Sequence, residues 1–263
     1  MVYICSRTKI TFQLRYFIEL SYKGTNYHGW QLQPDSISIQ GKVNEAFATI
    51  FRVPINVVGA GRTDTGVHAE QLFAHVDFEH KIDTKEITYK LNSILPNDIV
   101  IENITAVVDD AHARFDAASR SYEYRIFLGR NPFLLETVWQ LNNKKLNVVK
   151  MNAAAEILLT YTNFKSFSRT NSNVKTYNCD IRKAEWVLTN KTLTFHITAD
   201  RFLRNMVRAI IGTLLEVGTE KITLEDFKQI IESKDRCNAG TSAPAKGLFL
   251  TQIIYPKTIY INE

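Results

Sequence analysis

Two hydrophobic rhythms alternate along this 263-residue chain, and the same succession occurs twice. A period of two marks a strand with one buried face; a period of three to four marks a helix. In the first half, residues 15–22 place Tyr16, Ile18, Leu20 and Tyr22 on one face of a strand. Residues 39–51 set Ile39, Val43, Phe47 and Ile50 at helical spacing and stop before Pro54. The apolar run 55–58 predicts a strand, and 71–78 alternates as another. Asp83 and Glu86 make a capping-box-like start for a helix carrying Ile87, Leu91 and Ile94, which ends before Pro96. Residues 99–108 are strand-like. The second half repeats the order: a strand at 120–128, an Ala-rich helix at 147–160, strands at 179–188 and 192–199, a helix at 201–217, a shorter helix from Thr223 and a last strand at 248–255. The order β-α-β-β-α-β, met twice, predicts an α+β protein of two similar ferredoxin-like (split βαβ) halves joined near residues 109–113. The domains expected are 15–111 and 112–263.

Composition narrows the class. Apolar residues make up 45% of the chain and charged residues 22%, which excludes a disordered or low-complexity protein. Cys5, Cys179 and Cys237 are odd in number and far apart, against a disulfide framework or a thiolate zinc site. Residues 1–11 lack the apolar run of a signal peptide, and no stretch is long enough to span a membrane, so a cytoplasmic location is expected. The six histidines form no H-x-x-x-H or H-E-x-x-H pair, and no metal is expected.

The segment GAGRTDTG at 59–66 is the most unusual stretch. A dinucleotide loop would need glycine where Asp64 stands, and a helix where 71–78 alternates as a strand. A phosphate cradle would be spoiled by a carboxylate. Glycines let a loop turn tightly and admit a bulky neighbour, and a nearby cation such as Arg62 favours an ionised carboxylate. Asp64 is therefore either a nucleophile or electrostatic stabiliser, or the cap of its own Asx turn.

Basic residues gather in the second half. On the predicted helix 201–217, Arg201, Arg204 and Arg208 share one face beside the stripe Leu203, Val207, Ile210 and Leu214. That face is either solvated, aimed at phosphates, or the source of one Arg turned toward a carboxylate. Arg114, Arg120, Arg125 and Arg130 also recur, Lys165, Arg169 and Lys175 lie in a polar loop, and Tyr122, Tyr124 and Tyr177 interleave with these basic positions. Charge for phosphates and rings for unpaired bases suit RNA.

The segment GAGRTDTGVHA (59–69) resembles the signature of TruA-type tRNA pseudouridine synthases. YKGTNYHGWQLQP (22–34), LPNDI (95–99), HARFDAASRSYEYRI (112–126), RFLRNMVRAIIG (201–212) and APAKGLFL (243–250) follow in the same order. Residues 1–14 lie outside the resemblance and read as an extension or an upstream start codon. The resemblance implies two α+β domains whose antiparallel sheets join across a basic catalytic cleft. It also implies a homodimer, isomerisation of uridine at positions 38, 39 and 40 of the tRNA anticodon arm, and no cofactor. It assigns Asp64 as the catalytic aspartate and Arg62 as the residue displacing the target base. By the same resemblance Tyr122 would stack on the flipped uracil, Arg208 would pair with the aspartate, and Leu248 would wall the base pocket. Thr65 stands where the commoner family form has Ala. An ionised Asp64 would attack C1′, stabilise an oxocarbenium-like state or remove a ribose proton to give a glycal; the residues alone leave the three open.

Two other readings compete. A non-catalytic RNA-binding module has no need of Arg62-Thr63-Asp64 in a glycine loop. A carboxylate-dependent glycoside or nucleoside hydrolase would need a second acid, and Glu70 is the only one close in sequence. The net charge is only +5, so the RNA reading requires the cations to be concentrated in a cleft on a near-neutral surface. tRNA affinity should then fall as salt rises, by about 0.7–0.9 log units per log unit of salt for each phosphate neutralised. Filter binding over a salt series checks this; affinity indifferent to salt removes the basic cleft.

Overall fold

The computed structural model describes residues 14–142, 145–170 and 174–261. The chain forms β1 (Leu14–Tyr22), α1 (Ile39–Phe51), β2 (Val58–Gly59), β3 (His68–Phe78), α2 (Thr84–Ile94) and β4 (Ile99–Val107). It continues with β5 (Ser119–Leu128), β6 (Trp139–Leu141), α3 (Val148–Leu158), β7 (Ile181–Thr189), β8 (Thr192–Ala199), α4 (Met206–Gly218), α5 (Leu224–Ser233) and β9 (Leu248–Ile254). The fold is mixed α+β around a largely antiparallel sheet of order β4-β1-β3-β9-β5-β8-β7, with β2 on β3 and β6 on β5. Only β3–β9 and β5–β6 are parallel among the described strands.

Local chemistry accounts for most of these elements. Ser38 accepts the Gly41 N–H to start α1, and Arg52 ends it in the left-handed region. Asp83 accepts the Glu86 N–H at the start of α2. The full reciprocal capping box lies on α5, between Thr223 and Asp226. Asn190, at φ +57°, turns the β7–β8 hairpin, in which Thr189 pairs with Thr192.

Apolar faces pack into two clusters. One joins β1, β3 and β4 to α1 and α2 and takes in Leu250 and Ile253 of β9. The other joins β5, β7 and β8 to α3, α4 and α5. Tyr122 packs against both.

Three expectations need correction. The strand expected at 55–58 shrinks to Val58–Gly59. One edge of β3 carries β1; the other is shared, with β2 opposite Ala74 and His75 and β9 opposite His68 and Ala69. Val57 instead bonds the Asn44 and Gln40 side chains of α1 at 3.0 and 2.8 Å. The helix expected from residue 201 begins at Met206. Asp200 Oδ1 accepts the Arg201 N–H at 2.7 Å, the Arg204 carbonyl is taken by the Arg169 N–H at 3.0 Å, and Asn205 sits at φ +64°. The Arg204 carbonyl, which a helix begun at 201 would give to the Arg208 N–H, is thus taken by another segment, and the left-handed Asn205 interrupts the turn. Arg201 and Arg204 consequently share no helix face with Arg208. The extension expected at 1–14 falls outside the described residues except for Leu14, which pairs with Phe78 in β1.

Backbone approach at α4 is close. A methyl group added at Gly212 would overlap the Thr241 carbonyl oxygen, which holds the loop before β9 on the helix. Gly212→Ala should therefore destabilise by about 1–3 kcal/mol. Urea denaturation checks this, with a lowered midpoint and an unchanged slope.

Candidate active site

Loop 60–67 leaves β2 and returns into β3 beside the start of β9, where the two apolar clusters meet. Its position is set by close packing against the segment 22–30. Methyl groups added at Gly24 or Gly29 would overlap the Val67 or Thr63 carbonyl oxygens, and one at Gly59 would overlap the Trp30 indole. Thr63 is buried at the centre. Its hydroxyl accepts the Trp30 N–H at 3.1 Å and shares a hydrogen bond with the Tyr22 hydroxyl at 2.8 Å. A buried hydroxyl with two partners fixes the backbone one residue before Asp64.

His68 closes the other end of the loop. Its Nδ1 accepts the Gly24 N–H at 3.0 Å, so Nε2 carries the proton and faces the Glu136 and Lys246 carbonyls at 3.0 and 3.2 Å. Burial pushes its pKa down, which keeps it neutral. His68 is thus a structural clamp for three chain segments.

Asp64 does not cap its own turn. The turn is made by backbone: the Asp64 carbonyl accepts the Val67 N–H at 3.1 Å, and Gly66 takes φ +76°. The carboxylate faces the second half of the chain. Arg208 Nη1 stands 3.4 Å from Oδ2, and Arg204 Nε stands 3.8 Å from Oδ1. Arg208 is aimed from behind, because its Nε donates to the Ala243 carbonyl at 2.7 Å. The Ala243 N–H in turn bonds the Arg208 carbonyl at 3.0 Å.

These groups line a cavity of about 590 Å³ with His28, Gln31, Leu32, Gln33, Arg62, Thr63, Thr65, Arg169 and Asn205. Arg62 is exposed on its wall. Asp64 is its one carboxylate among the described residues, set among Arg62, Arg169, Arg204 and Arg208. Glu70 is not in the lining; it pairs with Arg125 at 2.7 Å. A two-carboxylate hydrolase is thereby disfavoured, since such enzymes need both acids within about 5–9.5 Å around one bond.

Tyr122 and Leu248 lie outside the lining, in the sheet beside it. Tyr122 is on β5 opposite Leu250, its ring edge-to-face with Phe202 at 5.2 Å. Leu248 opens β9 opposite Tyr124 and is buried. Arg201, Lys165 and Lys175 are not in the lining either. Lys165 Nζ lies 5.7 Å over the Tyr177 ring, and Lys175 is exposed.

Arg120, which the sequence offers only as one of several basic positions suited to RNA, ties the region together. Its guanidinium donates to the Asp200, Ala60 and Arg114 carbonyls at 2.9, 3.1 and 2.7 Å. It therefore links the Asp64 loop, the segment leading to Arg204 and the turn before β5. Three carbonyls from distant positions leave no periodic trace in a sequence.

Burial pushes the Tyr122 hydroxyl up to about 12, against the opposing pull of Arg120 and with the Asp64 charge adding to it. The hydroxyl is thus neutral throughout the physiological range. In a near-ultraviolet difference titration of wild type against Tyr122→Phe, the Tyr122 signal should appear only near pH 12, whereas a free tyrosine ionises near about 10.

Comparison with known proteins agrees on one family. A family model described as tRNA pseudouridine synthase matches residues 154–256. The tRNA pseudouridine synthase A of Parabacteroides distasonis is 48% identical over 250 residues, 95% of this chain and 99% of that protein. The protein of that name from Bacteroides fragilis is 50% identical over 94% of this chain and 98% of its own length. The one from Clostridium acetobutylicum is 41% identical over 90% and 98% respectively.

Proposed function

The chain belongs to the tRNA pseudouridine synthase family, and from that premise we propose that it isomerises uridines 38, 39 and 40 in the anticodon stem-loop with Asp64 as nucleophile. The observation that carries the proposal is Asp64, the one carboxylate lining the cavity among the described residues, held among four arginines. The reaction breaks the C1′–N1 bond and joins C5 to C1′; the C5 proton leaves and N1 gains one. No redox equivalent is consumed.

Each residue then has a task. Asp64 attacks C1′ as the glycosidic bond breaks. Arg208 and Arg204, one near each carboxylate oxygen, orient it and offset its charge. The target base leaves its stack first, Arg62 fills the vacated space, and Tyr122 stacks on the extruded uracil, recovering roughly 1–3 kcal/mol. Leu248 supports the apolar side of that pocket. Arg169, Arg201, Arg204, Lys165 and Lys175 take the RNA backbone. Arg169 and Arg204 line the cavity, which supports them most directly.

The same proposal covers architecture and setting. The strand orders β4-β1-β3, with β2 on β3, and β9-β5-β8-β7 support two ferredoxin-like halves, residues 15–111 and 112–263, meeting at the cleft. The active enzyme is a cytoplasmic homodimer. No helix among the described residues is long and apolar enough to cross a membrane.

Asp64→Asn should bind unmodified tRNA with near wild-type affinity and release no tritium from C5-labelled uridine, a rate loss of about a thousandfold or more. Turnover close to wild type would remove Asp64 from its role. A primary isotope effect from deuterium at ribose C2′ would move it from attack on C1′ to proton removal. Mapping pseudouridine along the product tRNA tests the positions.

A further inference from the structure

The turn at 111–116, just before β5, has a hydrogen-bond partner at nearly every backbone group, some within the turn and others outside it. Arg15 donates to the Ala111 carbonyl at 2.9 Å, and the Asp116 carboxylate accepts the His112 N–H at 2.6 Å. His75 Nδ1 accepts the Ala113 N–H at 3.2 Å, and Tyr255 donates to the Ala113 carbonyl at 2.5 Å. His112 Nδ1 accepts the Arg114 N–H at 3.0 Å, and Arg120 donates to the Arg114 carbonyl. The Phe115 and Asp116 N–H groups both point at the His112 carbonyl, at 3.1 Å.

This rigid turn presents a bare aromatic ring. Phe115 is 73% exposed. The His112 ring supports it with centroids 4.3 Å apart, and the Arg114 guanidinium carbon lies 5.7 Å from its centroid. Arg114 makes no ion pair among the described residues. Phe133 is more exposed still, but no cation lies over its ring among the described residues. Isolated exposed apolar residues are common. A ring carried on a turn fixed by these eight hydrogen bonds and flanked by an uncommitted guanidinium is a prepared surface.

We propose that Phe115 and Arg114 form a second nucleobase platform, outside the catalytic cavity, which stacks one unpaired base of the tRNA while Arg114 meets the adjoining phosphate. Duplex bases keep their faces inside the stack, so the occupant is a loop or unstacked base. Because His112 already packs against the ring, stacking costs less side-chain entropy than it would for an unsupported one. Arg120 bonds both the Arg114 and the Ala60 carbonyls, so the platform and the Asp64 loop hang on one guanidinium. A base seated on Phe115 would set the register in which the target uridine reaches the cavity. The inference rests on the cavity being the site of tRNA modification.

The test is steady-state pseudouridine formation on unmodified tRNA by wild type, Phe115→Leu, Phe115→Trp and Arg114→Ala. Phe115→Leu should raise KM about tenfold with kcat nearly unchanged, and Phe115→Trp should restore the wild-type KM, because every π-face accepts a base. Arg114→Ala should lessen the salt slope of tRNA affinity by about 0.7–0.9, while Phe115→Leu leaves that slope intact. Circular dichroism and sedimentation show whether each variant keeps its fold and assembly. A wild-type KM in Phe115→Leu overturns the platform, as does an equal loss in the Leu and Trp variants. A change in assembly with unaltered tRNA affinity also overturns it, assigning the ring to a second copy of the chain. A wild type that forms no pseudouridine defeats the reading of the cavity instead, which separates the two failures.

Discussion

Everything about this site depends on orienting one carboxylate across the sheet. The Asp64–Arg208 pair does this at 3.4 Å, with both side chains about one-fifth to one-quarter exposed. Partly solvated pairs of this kind contribute little to stability, typically 0–1 kcal/mol. The contact therefore does not hold the halves together. The apolar clusters, the β5–β9 ladder and the buried Thr63 hydroxyl do that, and the ion pair uses the rigidity they supply.

That division of labour accounts for the glycines. Gly24, Gly29 and Gly59 each stand where a side chain would meet the backbone or the Trp30 ring. Removing Cβ lets segment 22–30 press directly on the loop, so that Thr63 is anchored and Asp64 is left facing the arginines. Gly212 does the same for the loop that positions Arg208 through Ala243. The two members of the pair are thus placed by the same device, a backbone-to-backbone approach on either side of the cavity.

Much of this was legible in the residues. The α1 pattern 39–51 matches the observed helix, because its spacing and Pro54 agree; the structure adds the Ser38 cap. Local chemistry leaves the role of Asp64 open, since an Asx turn suits the same loop. Only the partner atoms, supplied from 140 or more positions away, show the carboxylate turned outward. The reading of Arg201, Arg204 and Arg208 as one helix face went wrong for a related reason. The apolar stripe runs on through Leu203 because that residue is buried, and periodicity records burial, not hydrogen bonding. Arg204 still reaches Asp64, from an irregular segment that Arg169 and Asp200 hold in place.

The sequence by itself determined the α+β alternation, most element boundaries and the identity of the charged residues, because these follow from short-range spacing and capping. It also carried the family resemblance. The tertiary structure decided which cations share a cavity with Asp64, why β2 is short, and that Arg120 ties three distant carbonyls. Those outcomes depend on where strand edges and backbone carbonyls meet across the sheet, and such long-range meetings leave no local periodicity to read.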